Sequence, residues 1–290
     1  MSGTKSITPG IHVLSAAEYH ADPCPEPSAS SSILRKILSG SARHAWLAHP
    51  KLGGAVQEPR STFDLGTAAH ALLLEGEDGI AIVEADDWRT KAAREARDEA
   101  RAAGKIPMLP EQAAECYAMV EAARDQLRPF GLLAEPAPES TLIWRQGPHW
   151  CRARLDRFES RTVIDYKTTA RSARPGLVDR LVWSMGYDVQ IAWYLDGATA
   201  VTGDDQIQHR LIVQEVTPPY ALSVLALGPA AMGSARGRMR AAWNVWAGCL
   251  QKGREPEHWP LYDPEVVEIG APAWLANDLS IEGLEVEGEE

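Results

Sequence analysis

The sequence predicts an α/β fold in which a mixed central β-sheet is flanked by helices, with further helices in the N-terminal part and in the middle of the chain. The 290 residues are 45% hydrophobic, which is enough for one large core. Runs of β-branched and apolar residues of strand length alternate with apolar patterns of helical period. The strand-like runs are concentrated in residues 140–226, where we expect the sheet.

Composition along the chain predicts three segments. Residues 1–29 are polar and contain several prolines, which predicts an extended N-terminal segment. Residues 30–278 are predicted to form a single domain, with a helical insertion at about residues 85–130. Residues 279–290 are rich in acidic residues, and we predict a disordered tail there.

Apolar periodicity and end signals predict the helices. A serine at a helix N-terminus can accept a hydrogen bond from a free backbone amide, and glycine or proline ends a helix. These signals predict helices over residues 30–38, 42–48, 62–75, 88–103, 111–127, 187–200 and 230–251.

Short runs rich in β-branched and aromatic residues predict the strands. They lie at residues 80–84, 140–145, 150–158, 162–167, 207–216 and 220–226. Only short turns separate the second, third and fourth of these runs, so we expect those three strands to form an antiparallel meander.

The charge distribution is uneven. The net charge of −11 disfavours binding of a polyanion to the surface as a whole. Acidic residues are concentrated in residues 75–78, 84–87 and 281–290, whereas residues 145–180 are basic. An acidic exterior with a basic groove is compatible with DNA processing, although a charge run is also typical of a solvated face.

Cysteine usage and hydropathy exclude several classes of protein. The four cysteines, Cys24, Cys116, Cys151 and Cys249, are scattered without a C-x-x-C pair, so neither a disulfide framework nor a zinc site is predicted. No apolar run has the length of a membrane helix, and the first ten residues lack the apolar region of a signal peptide. We therefore expect a soluble, cytoplasmic protein without membrane contacts.

Two carboxylates and a lysine are placed at the ends of neighbouring predicted strands. Asp156 lies near the end of one strand, and Asp165 and Lys167 end the next on the same face. Such charges are costly at a buried strand end unless they are paired. Because carboxylate oxygens suit Mg²⁺ and a lysine can steady an attacking water, the pattern predicts a divalent metal site. The alternative is a strand that ends in a surface Asp–Lys pair.

Two further residues could extend this site. His70 lies in the predicted helix over residues 62–75 among small residues, where it is either a core histidine or a ligand of the metal or of phosphate. Glu139 precedes the first strand of the meander and could add a carboxylate, although we predict that it lies at the surface.

Gln190 and Tyr194 are four residues apart and therefore share one face of a predicted helix. A half-buried helix face explains such a pair in many proteins. An amide and a phenol could also reach a phosphate, a metal-bound water or the lysine.

The order Asp156, then Asp165-Tyr166-Lys167, resembles the PD-(D/E)xK nuclease motif, with Leu155 where the family has proline. The wider set of motifs resembles the exonuclease VIII branch, found largely in phages and prophages, over roughly residues 17–275. These motifs are Glu18-Tyr19-His20, the serine-capped helix that contains Leu34, Gly66 to His70, Arg154-Leu155-Asp156, Asp165 to Thr169, Gln190 to Tyr194, Pro218-Pro219-Tyr220 and Trp259 to Tyr262.

The resemblance implies a restriction-endonuclease-like core and a Mg²⁺-dependent exonuclease that works 5′→3′ on double-stranded DNA ends. Mn²⁺ is a possible substitute, and the scattered cysteines argue against an iron–sulfur cluster. The implied products are 3′ overhangs for a single-strand annealing recombinase in recombination and repair, and the implied assembly is a ring-shaped homo-oligomer. A nuclease of other polarity, an endonuclease and a non-catalytic DNA-end-binding protein are the alternatives.

The resemblance also implies roles for individual residues. The implied metal ligands are His70, Asp156, Asp165 and the carbonyl of Tyr166. The implied catalytic residues are Lys167, Asp156, Asp165, Gln190 and Tyr194. The residues expected to contact DNA are Arg154, Thr168, Arg171 and Arg174. A lysine whose pKa is lowered by burial could serve as the base.

Overall fold

A computed structural model describes residues 7–54, 65–76, 79–133, 135–266 and 268–270. The chain divides into two compact units, Met1–Pro260 and Leu261–Glu290. The described residues of the second unit carry no helix or strand. The predicted acidic tail over residues 279–290 lies outside the described residues.

The predicted α/β class, with mixed sheets and flanking helices, is confirmed. The helices are α1 (Ala16–His20), α2 (Ser31–Ser39), α3 (Ala42–Ala48), α4 (Leu65–Leu74), α5 (Lys91–Ala102), α6 (Pro110–Leu127), α7 (Val178–Ser184), α8 (Tyr187–Thr202) and α9 (Pro229–Lys252). The strands are β1 (Gly10–His12), β2 (Ser28–Ala29), β3 (Ile80–Ile82), β4 (Ile106–Met108), β5 (Ser140–Gln146), β6 (His149–Leu155), β7 (Arg157–Glu159), β8 (Thr162–Thr169), β9 (Gln208–Glu215) and β10 (Leu222–Leu225). None of the helices in the described part of the chain has the length and apolar content needed to span a membrane.

Two four-stranded mixed sheets form the centre of the first unit. The first has the order β1-β5-β6-β2, with β2 parallel to β6 and the other pairs antiparallel. The second has the order β10-β9-β8-β7, with β8 and β9 parallel and the outer pairs antiparallel. Strands β3 and β4 form a separate parallel pair next to α5.

The expected antiparallel meander is wrong at its second strand. The run predicted as residues 150–158 is divided at Asp156, so that β6 pairs with β5 in the first sheet and β7 pairs with β8 in the second. The carboxylate of Asp156 accepts a hydrogen bond of 2.7 Å from the backbone N–H of Tyr166. The last pair between β7 and β8 is Arg157–Ile164, so β7 offers no backbone acceptor to Tyr166. The carboxylate of Asp156 takes that role at the point where the chain passes from the first sheet to the second.

Strand β8 is buried on both faces. Val163 packs in an apolar cluster with residues of α2, α3, α8 and α9, while Ile164 and Tyr166 pack in a second cluster with residues of α4 and α6. Successive side chains of a strand point to opposite faces, so helices on both sides are needed to cover it. The helical segment predicted for residues 85–130 contains α5 and α6, and α6 covers this second face.

The described residues 7–29 do not form the extended segment that we predicted for residues 1–29. They include β1, α1 and β2, and Ser15 and Glu18 form a capping box at the start of α1. Polar contacts anchor this region: buried Asp22 forms ion pairs with Arg152 at 3.1 Å and with His49 at 3.2 Å. A buried ion pair of this kind has no periodic signature in the sequence, which explains why pattern analysis missed it.

We predict that Asp22 makes the protein sensitive to acid. Burial raises the pKa of Asp22, but its hydrogen bonds with His49 and Ser28 and the charge of Arg152 outweigh burial and lower this pKa from 3.8 to about 2. The folded-state pKa is depressed, so the stabilisation is fully present well above pH 3.8 and is lost as the pH falls towards 2. Asp22→Asn should lower the free energy of unfolding by about 2 kcal/mol at pH 7 and by much less at pH 2, measured by urea denaturation. An equal loss of unfolding free energy at pH 7 and at pH 2 would contradict the prediction.

A second prediction concerns the contact between α8 and β5. A Cβ atom on Gly197 would lie 2.7 Å from the Trp144 ring, whereas one on Gly233 in α9 would meet nothing within 4 Å. Gly197→Ala should therefore lower the free energy of unfolding by about 1–3 kcal/mol because the core is overpacked. The matched variant Gly233→Ala should raise it by about 0.5–1 kcal/mol, since alanine favours a helix. Thermal and urea denaturation measure the stability of both variants. Equal changes in the two variants would show that Gly197 is not in close contact with Trp144.

Candidate active site

The three charged residues that the sequence singled out lie together at the end of β8. The ammonium of Lys167 is 2.7 Å from Asp165 Oδ2 and 4.0 Å from Asp156 Oδ2. Both aspartates are buried, and Lys167 is half-buried. The alternative of a surface Asp–Lys pair is therefore wrong.

Helix α4 brings His70 to the same place. Its Nε2 atom lies 3.3 Å from Asp156 Oδ2, and its ring centroid lies 5.9 Å from that of Tyr166. Ala68 and Ala69 in α4 are fully buried in the cluster that covers β8, and their small side chains allow a close approach of helix and strand. His70 is half-exposed and faces the carboxylates, so it is not the enclosed core histidine of the alternative interpretation.

Glu139 also belongs to this group. His70, Glu139 and Asp156 each offer a ligand atom, and these atoms lie within 4.8 Å of one another. The side chain of Glu139 is only 10% exposed and forms an ion pair with Arg154, so the prediction of a surface residue is wrong. The sequence did hold a signal: Ser140 pairs with Leu155 in the β5–β6 hairpin, which places the next residues, 139 and 156, opposite each other.

Helix α8 supplies the residues that hold Asp165 in place. The amide nitrogen of Gln190 donates to Asp165 Oδ1 at 3.0 Å and to the Tyr194 hydroxyl at 2.8 Å. The amide oxygen of Gln190 accepts from Arg35 of α2 at 3.1 Å. Sequence analysis did not find Arg35, because only the tertiary fold brings α2 against α8.

Tyr187 was also missed by sequence analysis. Its ring centroid lies 5.6 Å from the Lys167 ammonium and 5.5 Å from the Arg35 guanidinium carbon. The negative face of the aromatic ring attracts both cations. Tyr187 thus links the Arg35 side of the site with the lysine.

The four residues expected to contact DNA lie in different surroundings. Arg154 is paired with Glu139 and is mostly buried. Thr168 is half-buried near the end of β8. Arg171 and Arg174 are exposed in the loop that follows β8, where their charges are accessible.

The electrostatics of the site separate its two aspartates. Burial raises the pKa of Asp156, but the charges of Lys167 and His70 outweigh burial, and this pKa lies below its ordinary value. Burial raises the pKa of Asp165 above its ordinary value against the attraction of Lys167, and the charge of Asp156 adds to the rise.

The lysine does not have the lowered pKa that a base would need. Burial lowers the pKa of Lys167, but Asp165 and Asp156 outweigh burial and raise it above its ordinary value. The two carboxylates therefore favour the ammonium form of Lys167, which can donate hydrogen bonds.

The donor set fits a divalent metal. When His70 acts as a neutral imidazole ligand, the three carboxylates of Glu139, Asp156 and Asp165 face only two cations, Lys167 and Arg154, which leaves one negative charge in excess. An uncompensated buried charge is costly, and a bound cation removes that cost. Carboxylate oxygens with one imidazole suit Mg²⁺ or Mn²⁺.

A comparison with protein families decides the identity of the fold. The model of the PD-(D/E)XK nuclease superfamily matches residues 28–259, a range that includes every residue of the site. The chain belongs to this superfamily. The nuclease is also similar to a crystal structure from Eubacterium rectale named "Putative exonuclease", with a TM-score of 0.54 and 11% identity. The similarity covers 93% of this chain and 98% of the other, and it shows the fold. No curated protein matches the chain.

We predict that metal binding by this nuclease depends on Asp156 and Glu139. Asp156→Asn should weaken Mn²⁺ binding more than about 100-fold and Glu139→Gln about 10–100-fold, measured by titration calorimetry. Glu121→Gln, which changes an exposed carboxylate of α6, is the matched control and should bind as the unmodified protein does. Unchanged affinity in Glu139→Gln would show that Glu139 serves only as the partner of Arg154.

Proposed function

We propose that this nuclease is a metal-dependent exonuclease that degrades double-stranded DNA from its ends in the 5′→3′ direction and leaves 3′ overhangs. The observation that carries the proposal is the convergence of Asp156, Asp165 and Lys167 with His70 and Gln190 at the end of β8. The similar Eubacterium rectale structure is named an exonuclease, and this name supports action at strand ends.

His70, Asp156, Asp165, the Tyr166 carbonyl and Glu139 would hold the metal. Lys167 Nζ lies 3.5 Å from the Tyr166 carbonyl oxygen, so this backbone group faces the same charges. When bound, a divalent metal neutralises charge on the phosphate and makes a water more acidic. Mg²⁺ is the proposed metal, with Mn²⁺ as a substitute.

The other side chains position the reacting groups. Lys167 presents its ammonium to the space between Asp156 and Asp165, where it can donate to the attacking water or to a phosphate oxygen. Gln190 uses both amide hydrogens, on Asp165 and Tyr194, and so fixes the carboxylate that faces the lysine. This fixed geometry reduces the reorganisation needed in the transition state.

Exposed cations next to the site support a DNA substrate. Arg171 and Arg174 lie in the loop that leaves the active end of β8. Phosphate contacts of this kind bind without regard to sequence, as an enzyme that proceeds along DNA requires. The resemblance of the motif order to that of the exonuclease VIII branch supports the further proposals of a ring-shaped homo-oligomer and a single-strand annealing partner in recombination and repair.

Digestion of end-labelled DNA tests this function. Linear duplex with a 5′ label should lose the label first, only with Mg²⁺ or Mn²⁺, and circular duplex should stay intact. Lys167→Ala and Asp165→Ala should each lower the rate by about 10²–10⁴-fold. Lys105→Ala, which changes an exposed lysine, is the control and should keep full activity.

Each alternative has its own outcome in this assay. Cleavage of circular duplex would show an endonuclease, and early loss of a 3′ label would show the opposite polarity. Metal-dependent degradation that survives Lys167→Ala or Asp165→Ala would refute the assignment of the site. Binding to DNA ends without degradation would show a non-catalytic protein.

A further inference from the structure

A cavity of about 620 Å³ lies beside the candidate active site. It is bordered by α2, by the junction between α7 and α8, and by α9. Its volume is typical of a pocket for a small organic ligand.

Three cationic side chains line the cavity. Arg35 and Lys36 extend from α2, and Arg238 extends from α9. Among the described residues, none that lines the cavity is acidic, and Asp188, which binds Arg238 at 2.7 Å, is fully buried. The surface that a ligand meets therefore favours an anion.

The cavity also has an aromatic and apolar side. Trp183 is half-buried in the wall, and the guanidinium carbon of Arg238 lies 5.7 Å from its ring centroid. Met185 and Leu38 line the same cavity and are exposed. An indole ring and a guanidinium plane are both surfaces on which nucleobases stack.

Arg35 connects the cavity with the active site. Its side chain lies across Gly186, where a Cβ atom would come within 3.0 Å of Arg35 Cγ, and Gly186 adopts a left-handed φ of 69°. Arg35 donates to Gln190, which in turn donates to Asp165. The cavity therefore begins two side chains away from a proposed metal ligand.

We propose that this cavity holds one unpaired nucleotide of the strand that is being cut, with its base against Trp183 and its phosphate near Lys36 and Arg238. The proposal rests on the proposed function, because it gives a place to the substrate of that site. The cations match a phosphate, and the apolar wall matches a base. Since every base has an aromatic face, the cavity accepts any sequence but requires that the base leave its pair.

A double-mutant cycle between protein and DNA tests this contact. Binding of the full-length protein is measured in the presence of a metal chelator, so that the DNA is not degraded. The DNA is a series of internally labelled duplexes, each of which carries one abasic residue at a different position from either end. Removal of the base at one position should weaken binding by about tenfold, and Trp183→Ala should weaken binding to intact DNA by a similar factor. Trp183→Ala should then cause no further loss on that abasic DNA.

Two further variants complete the test. Trp183→Phe should retain most of the affinity, because phenylalanine still offers an aromatic face. Lys36→Ala should reduce the slope of log affinity against log salt by about 0.7–0.9, the contribution of one phosphate contact. Lys91→Ala, which changes an exposed lysine of α5, is the matched control and should leave the position dependence unchanged.

Additive losses from Trp183→Ala and from base removal at every position would overturn the proposal. So would a Lys36→Ala variant with the salt slope of the unmodified protein, and this second arm decides the matter if Trp183→Ala does not fold. The result is separable from the proposed function. Coupling between Trp183 and one base, without DNA degradation, would support the nucleotide site and refute the exonuclease activity. Degradation without such coupling would support the exonuclease activity and refute the nucleotide site.

Discussion

The structure depends on one hydrogen bond, between the carboxylate of Asp156 and the backbone N–H of Tyr166. It lies where the chain leaves one sheet and enters the other, and it takes the place of a backbone pair. The same carboxylate oxygen faces His70 and Lys167. The carboxylate that accepts this backbone hydrogen bond is therefore also a proposed metal ligand, so one side chain serves both the fold and the proposed chemistry.

The second constraint is the excess of negative charge at this point. A lone lysine between two buried aspartates offsets only part of it, and the arrangement is stabilised from the other side by Gln190, which is itself held by Arg35. These contacts pass from Asp165, a proposed metal ligand, to the amide of Gln190 and the guanidinium of Arg35, which lines the cationic cavity. The carboxylates are thus connected to a cavity whose cationic lining favours a phosphate.

Much of this fold follows from the sequence, because its helices and strands have clear periods and end signals. Asp165 and Lys167 could be placed together because alternation along one strand is a local rule. What sequence analysis missed depends on non-local partners. Arg35 reaches the site only after α2 packs against α8, Glu139 requires the register of a hairpin, and the division at Asp156 requires a carboxylate to replace a backbone acceptor.

The hairpin formed by β7 and β8 limits how many residues can separate Asp156 from Asp165 in related sequences. Its turn is tight, with Ser160 and Arg161 both at positive φ, and it separates Asp156 from Asp165 along the chain. Residues added in pairs would lengthen both strands and leave the two aspartates facing the same place, while a single inserted residue would turn one strand over. Among relatives, the distance between the two halves of this motif should therefore vary in steps of two, and odd spacings should require a bulge.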